Sequence, residues 1–206
     1  MSVANHYFDE LFRDSDDPWA FRERWYERRK RALTLAALPR ERYESVFEPG
    51  CANGELSAEL ANRCERLLCC DTSARAVELA RLRLAGLNHV EVLHARLPAQ
   101  WPEGRFDLIV LSEMGYYLDS DDLDLWIQRA VESLTFNGHL LACHWRPHIQ
   151  GCSLSAERVH RTLSTSLPMQ KLFTHHEPDF LLDLWSRDGT SVAEQEDMLE
   201  RPALLL

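Results

Sequence analysis

Positive charge is in short supply: 23 lysines and arginines face 33 aspartates and glutamates, a formal net charge of −10 in 206 residues. Nucleic-acid binding needs a basic surface to meet phosphates, so DNA, RNA and anionic membranes are set aside as main partners. No apolar run approaches the length of a bilayer span, and the opening MSVANHYFDELF has no basic stretch leading into an apolar one. The six cysteines form no Cys-x-x-Cys pair and no Cys/His zinc spacing. No metal is therefore expected, and buried free thiols in a reducing cytoplasm are. No repeat, low-complexity tract or linker interrupts the chain. What remains is an ordinary globular balance, 45% hydrophobic and 27% charged, expected to form one domain over residues 1–206.

What is present is alternation. Residues 1–40 read as a helical cap, with Asp16-Asp17-Pro18 as a helix start and Phe21, Trp25, Leu33 and Ala36 recurring at helical intervals until Pro39. From Glu44 short apolar runs at 45–48, 67–70, 90–93, 108–112 and 140–144 alternate with amphipathic segments at 55–63, 74–84 and 121–134. Strands separated by helical patterns imply βαβ units and a parallel sheet covered on both faces. A further helix is expected over 155–167, then strands near 171–176 and 180–185. The link Glu177-Pro178-Asp179 is so short that these two must form an antiparallel hairpin. The expected fold is α/β: a Rossmann-like, seven-stranded mixed sheet, five strands parallel plus a C-terminal antiparallel hairpin. Helices lie on both faces, and a core over 41–200 follows the cap.

The informative stretch is Val46-Phe47-Glu48-Pro49-Gly50-Cys51-Ala52-Asn53-Gly54, which follows a strand and opens a helix. Gly50 and Gly54 give the backbone freedom a ligand needs when it lies against a strand-to-helix turn. About twenty residues on, the second strand ends in Asp71, whose carboxylate can accept hydrogen bonds from both hydroxyls of a ribose. A dinucleotide site would carry GxGxxG and bring a pyrophosphate to the helix end. Here the pattern is GxAxG, with Glu48 two residues ahead of the first glycine. A carboxylate at Glu48 repels a pyrophosphate and suits a ligand bearing an ammonium and a sulfonium, which favours S-adenosylmethionine (SAM) over NAD.

The motif resembles the first motif of the class I SAM-dependent methyltransferases, acid-x-Gly-x-Gly-x-Gly, with Ala52 in place of the middle glycine. Asp17-Pro18-Trp19, Tyr26-Glu27-Arg28 and Thr34-Leu35 precede it, and Phe106-Asp107-Leu108-Ile109 and His144-Trp145-Arg146 follow. Together these resemble the nodulation protein S (NodS) family over nearly the whole chain. The resemblance implies a methyltransferase (SAM in, S-adenosylhomocysteine out) acting on a small-molecule acceptor, with the amine of a glucosamine-containing oligosaccharide as the acceptor of the type member. It also implies that the loop after the third strand edges the adenine, which points to Arg96 and Leu97. The implied cofactor-binding set is Trp19, Glu48, Gly50, Cys51, Ala52, Gly54, Asp71, Thr72, Arg96, Leu97 and Ser112. The competing readings are a nicotinamide-dependent oxidoreductase and a catalytically silent SAM-binding scaffold.

Ligands of such sheets bind outside the carboxyl ends of the strands. Ser112-Glu113-Met114-Gly115-Tyr116-Tyr117 and His144 end two strands there, so Glu113 and His144 are the candidate catalytic residues, each able to hold or deprotonate an acceptor. Tyr116 and Tyr117 are candidate walls. The aromatic stripe Trp19, Phe21, Trp25 and Tyr26 reads either as packing or as a lid over the cofactor.

Overall fold

The structure, a computed structural model, describes residues 1–198. The expected core boundary at 200 and the last residues of the expected domain lie outside the described residues.

Two helices, α1 (Asn5–Asp14) and α2 (Trp25–Ala36), precede the sheet. The alternating part runs β1 (Tyr43–Pro49), α3 (Glu55–Ala61), β2 (Cys64–Asp71), α4 (Ala74–Arg83), β3 (Val90–His94) and β4 (Phe106–Ser112). After a 3₁₀ turn at Gly115–Tyr117 come α5 (Ser120–Ser133), β5 (Leu134–Trp145), α6 (Ala156–Ser166), β6 (Gln170–His176), β7 (Phe180–Ser186) and the short α7 (Val192–Gln195). The seven strands lie in the order β3-β2-β1-β4-β5-β7-β6. β1 to β5 are parallel, while β7 runs antiparallel to both β5 and β6. The order reverses beside β1, which opens a crevice at the carboxyl ends of β1 and β4.

Strand parity decides which helices cover which face. Ile109 and Leu111 of β4 pack with Leu123, Trp126 and Ile127 of α5 and Val159 and Leu163 of α6. Leu108 and Val110, pointing the other way, pack with Leu60 and Ala61 of α3 and with Ala37 and Leu38 after α2. Strands buried on both faces read as continuous apolar runs, which is why Leu108–Leu111 show no alternation.

The N-terminal segment departs from its expected form. Asp17 does not start a helix: α1 has ended at Asp14, and α2 begins only at Trp25. The Asp17 carboxylate instead accepts the backbone N–H groups of Phe21 (2.9 Å) and Arg22 (3.1 Å), and Ala20 turns at φ 56°, which closes a non-helical strap. Trp25 faces solvent at 68% exposure, so it does not belong to the packed stripe. β5 also begins earlier than expected, at Leu134, with a register shift against β4 between Phe106 and Leu108.

Candidate active site

The crevice is a cavity of about 330 Å³ walled by the carboxyl ends of β1, β2 and β4 and by the N-terminal segment. Its two ends differ chemically.

At the first end the chain leaves β1 through Gly50 (φ 73°), Ala52 (φ 50°) and Gly54 (φ 81°). Ala52 holds a left-handed conformation that favours glycine, at a steric cost of about 1–2 kcal/mol. The turn is pinned because the N–H groups of Gly50 and Cys51 both donate to the carbonyl of Cys70 (2.8 and 2.9 Å). Asp71 then receives the Ala52 N–H on Oδ2 and the Ser73 N–H on Oδ1, each at 2.9 Å. Burial pushes its pKa up, and these N–H donors oppose the shift. Each oxygen keeps acceptor capacity toward the cavity, as a ribose diol requires. Thr72 Oγ1 on the wall and Oε2 of Glu48 at the end of β1 are among the buried polar atoms that have no protein partner among the described residues. Burial pushes Glu48 up to about 8, with the neighbouring Ser57 hydroxyl opposing and Asp71 adding to the rise. Hydroxyl acceptors on Asp71 and orphaned oxygens beside the turn fit SAM.

Trp19, Gly50, Ala52, Asp71, Thr72, Arg96, Leu97 and Ser112 all line the cavity. Four expectations need correction. Gly54 lies off the cavity: a Cβ there would meet the Cα of Ala80 at 3.1 Å, so this glycine lets α3 start hard against α4. The Cys51 side chain is buried with Cys69, Val77 and Ala80, away from the ligand space. The backbone N–H of Arg96 is taken by Oε1 of Gln100 (2.7 Å), so it is not free for a ligand. Glu48 is not a wall residue either; it is buried within β1.

At the second end stands a cluster that the sequence reading missed. Lys30 of α2, only 7% exposed at its side chain, lies between Oε1 of Glu113 (2.6 Å) and Oε2 of Glu27 (3.0 Å), over the ring of Tyr26. Burial alone would lower the lysine, but Glu113 and Glu27 hold its pKa well above the usual range. Glu27 is pushed up by burial, with Lys30 opposing. Glu113, at φ 55°, gives its other oxygen to the Trp145 N–H (2.9 Å) and the Tyr116 hydroxyl. It lines the cavity, but as a carboxylate already engaged on both oxygens. Tyr26, Tyr117 and Trp145 complete this wall, and Tyr7 and Phe8 of α1 close it from above.

His144 is not at the surface of the cavity. Its ring is fully buried, Nε2 accepts the Gly115 N–H (3.0 Å), and Nδ1 meets Nε2 of His160 (3.0 Å). His160 Nδ1 in turn donates to Asp183 (2.8 Å). Burial and His160 drive the His144 pKa well below the usual histidine value. A neutral ring with both nitrogens engaged anchors the 3₁₀ turn and does not act directly as a base.

Asn53 was likewise missed. Fully buried, it donates through Nδ2 to Asp17 Oδ1 (3.0 Å) and to the Asp16 carbonyl (3.2 Å), which ties the strap to the glycine turn. Glu27 and Lys30 carry one legible signal, an i,i+3 charge pair next to Tyr26. It is masked by Arg28, Arg29 and Arg31, which make the helix look like a solvated charged face.

A strand-order reversal beside β1, a glycine turn against the buried Asp71 carboxylate, and a terminal antiparallel hairpin together define the fold of the class I SAM-dependent methyltransferases. The chain belongs to the nodulation protein S (NodS) family, whose model matches residues 4–167. It is similar to the N-methyltransferase NodS of Bradyrhizobium japonicum WM9, solved in complex with S-adenosylhomocysteine. The identity is 26% over 88% of this chain and 97% of that one, with a TM-score of 0.78. A Pseudomonas syringae structure, solved as a methyltransferase candidate, is 65% identical over 80% of this chain and 100% of that one, TM-score 0.73. Nodulation protein S of Rhizobium tropici is 30% identical over 62% of this chain and 54% of its own length. The matched part thus spans about half the length of that curated relative.

Proposed function

We propose that this protein transfers the methyl group of SAM to the amine nitrogen of a small acceptor, as one domain in which residues 1–40 cap the site. The observation that carries the reading is the two-ended cavity, with a ribose-binding carboxylate at one end and a buried carboxylate–lysine–carboxylate cluster at the other. SAM, when bound, supplies an activated methyl group. The chain's own task is to orient and exclude water. Asp71 and Thr72 offer acceptors to the nucleoside, Leu97 edges the base, and Trp19 covers it. Tyr7, Phe8 and Tyr117 shield the space between the two ends, their ring centroids 4.9–6.2 Å apart. The nicotinamide alternative has no such support, whereas the B. japonicum NodS relative was solved with S-adenosylhomocysteine.

The aromatic walls Tyr26, Tyr117 and Trp145 suit the C–H face of a sugar ring, so an amino sugar or glucosamine oligosaccharide is the acceptor class to test first. Support comes also from the B. japonicum relative, named an N-methyltransferase. All six cysteines are free and five are buried, which suits a reducing cytoplasm. No helix among the described residues is long and apolar enough to cross a membrane. The deciding experiment is a transfer assay with methyl-labelled SAM against glucosamine and its oligosaccharides, other primary amines, and phenols. Label in the amines supports the reading; label in the phenols alone overturns it. Thermal stabilisation by S-adenosylhomocysteine but no label in any acceptor would restore the silent scaffold.

A further inference from the structure

The acceptor end of the cavity holds two carboxylates, and their surroundings are unequal. Glu113 is committed on both oxygens, to Lys30, the Trp145 N–H and the Tyr116 hydroxyl. Glu27 touches Lys30 through Oε2 alone, and among the described residues no donor reaches its Oε1. That oxygen belongs to a buried side chain on the wall of the cavity, where it is open to water or to a ligand that enters. Glu27, Lys30 and Glu113 bring two carboxylates and one ammonium to this end, with Arg31 also acting on Glu27 and Arg24 on the cavity wall. The spare Glu27 oxygen favours a ligand that donates a charge-assisted hydrogen bond to it.

On the reading of this cavity as a methyltransferase site, we infer that Glu27 is the catalytic residue that receives the acceptor as a primary or secondary ammonium ion and takes its proton. Amines enter from neutral water mainly as ammonium, with no lone pair to attack. The Glu27 carboxylate removes one proton, and the freed nitrogen lone pair forms the N–C bond as the methyl–sulfur bond breaks. The breaking bond's electron pair stays on sulfur. The product leaves as a methylated ammonium, charge conserved, and protonated Glu27 returns its proton to solvent. Burial, which raises Glu27, makes it a stronger proton acceptor than an exposed glutamate. Lys30 is the positioning residue: it fixes Oε2 of Glu27 and so aims Oε1, and it ties α2 to the turn that carries Glu113.

The test uses the full chain with Glu27→Gln, which keeps the side chain's shape, and Glu27→Asp as a partial rescue. The probes are glucosamine and phenethylamine. Melting temperature and the stabilising shift from S-adenosylhomocysteine should be near wild type in both variants. Calorimetric titration of the amines at neutral pH should show at least about tenfold weaker binding to Glu27→Gln. Its turnover should fall by roughly 10²-fold or more, the usual worth of a positioned base. Below the pKa of the amine, kcat/KM of Glu27→Gln should rise about tenfold per pH unit, because the variant depends on free amine already present. The wild type should be flat over the same range, and Glu27→Asp should fall between. Wild-type and Glu27→Gln rates within threefold of each other, with parallel pH profiles, overturn the role of Glu27 and leave the amine reading standing. A wild type that methylates phenols and no amine overturns both.

Discussion

Asp71 carries two loads at once, and separating them is the sharpest check on the cofactor end. Its oxygens hold the Ala52 and Ser73 N–H groups inside the protein, and the same oxygens are assigned to the ribose. Removing the carboxylate therefore acts on both fold and ligand. Asp71→Ala strands two buried donors at about 1–3 kcal/mol each, a loss of about 2–6 kcal/mol that puts folding itself at risk. The informative change is Asp71→Asn. It keeps one acceptor oxygen and turns a donor toward one of the two N–H groups, so stability should fall by about 1–3 kcal/mol while the fold persists. On the ligand side it removes one charge-assisted bond of about 1.5–3 kcal/mol, which corresponds to roughly ten- to hundredfold weaker binding. Calorimetric titration with S-adenosylhomocysteine, run beside a thermal melt, reads the two losses separately. Affinity within threefold of wild type in a folded Asp71→Asn protein would refute the assignment of the ribose to this carboxylate.

Other perturbations read neighbouring parts of the site. Gly50→Val places a branched side chain at φ 73° facing Met114, 3.4 Å from the new Cβ, and should abolish the thermal shift from S-adenosylhomocysteine; a wild-type shift would remove the turn from the site. Trp19→Ala removes a ring that packs on Phe12 and stacks on Phe21 at the cavity wall. It should weaken cofactor affinity several-fold with a stability loss below the roughly 3–5 kcal/mol of a core tryptophan; a core-sized loss with intact affinity marks it as packing alone. Glu48→Gln tests a proton. With Glu48 pushed up to about 8 from an ordinary 4.5, the folded protein keeps a proton that the unfolded chain has released between those values. Wild-type stability from this group is thus full below that window and lost as pH rises through it, at up to about 1.4 kcal/mol per pH unit. Melting temperatures of Glu48→Gln relative to wild type should climb from pH 5 to 8 and then level; parallel curves would show that Glu48 is ionised throughout.

The sheet was legible because its signals are local. The apolar runs of β1 to β5, the helical periods between them and the tight link at Glu177-Pro178-Asp179 each lie within a few residues of sequence. Gly50 and Asp71 were legible for the same reason, as a turn and a strand end with a known geometric relation. What escaped was long-range. His144 reads as a candidate base until His160 and Asp183, from α6 and β7, are seen to occupy its ring through buried hydrogen bonds. Asp17 looks like a helix start until Asn53 draws it to the glycine turn. Glu27 and Lys30 sit among arginines that belong on a surface, and only the approach of Glu113 from β4 shows that they face inward. Nor is the cap a detachable lid. Ala37 and Leu38 are buried in the sheet's second core, and Thr34 is buried on α2, so truncation through residue 38 would cost the fold as well as the site.

The two ends of the cavity descend from different parts of the chain. The end proposed for the nucleoside is built at or just beyond strand ends, by Gly50, Asp71 and Leu97, whereas much of the end proposed for the acceptor comes from residues 1–30, through Tyr7, Phe8, Tyr26, Glu27 and Lys30. A lineage can therefore acquire new acceptors by rewriting its opening helices while inheriting the cofactor turn unchanged. One linkage limits that freedom: Lys30 and Glu113 neutralise each other across the join, at 2.6 Å. A grafted opening segment lacking the lysine would leave the half-buried Glu113 without its cation, so the heritable unit is the two helices together with position 113. Chimaeras between family members should work when that pair travels together and fail when it is split.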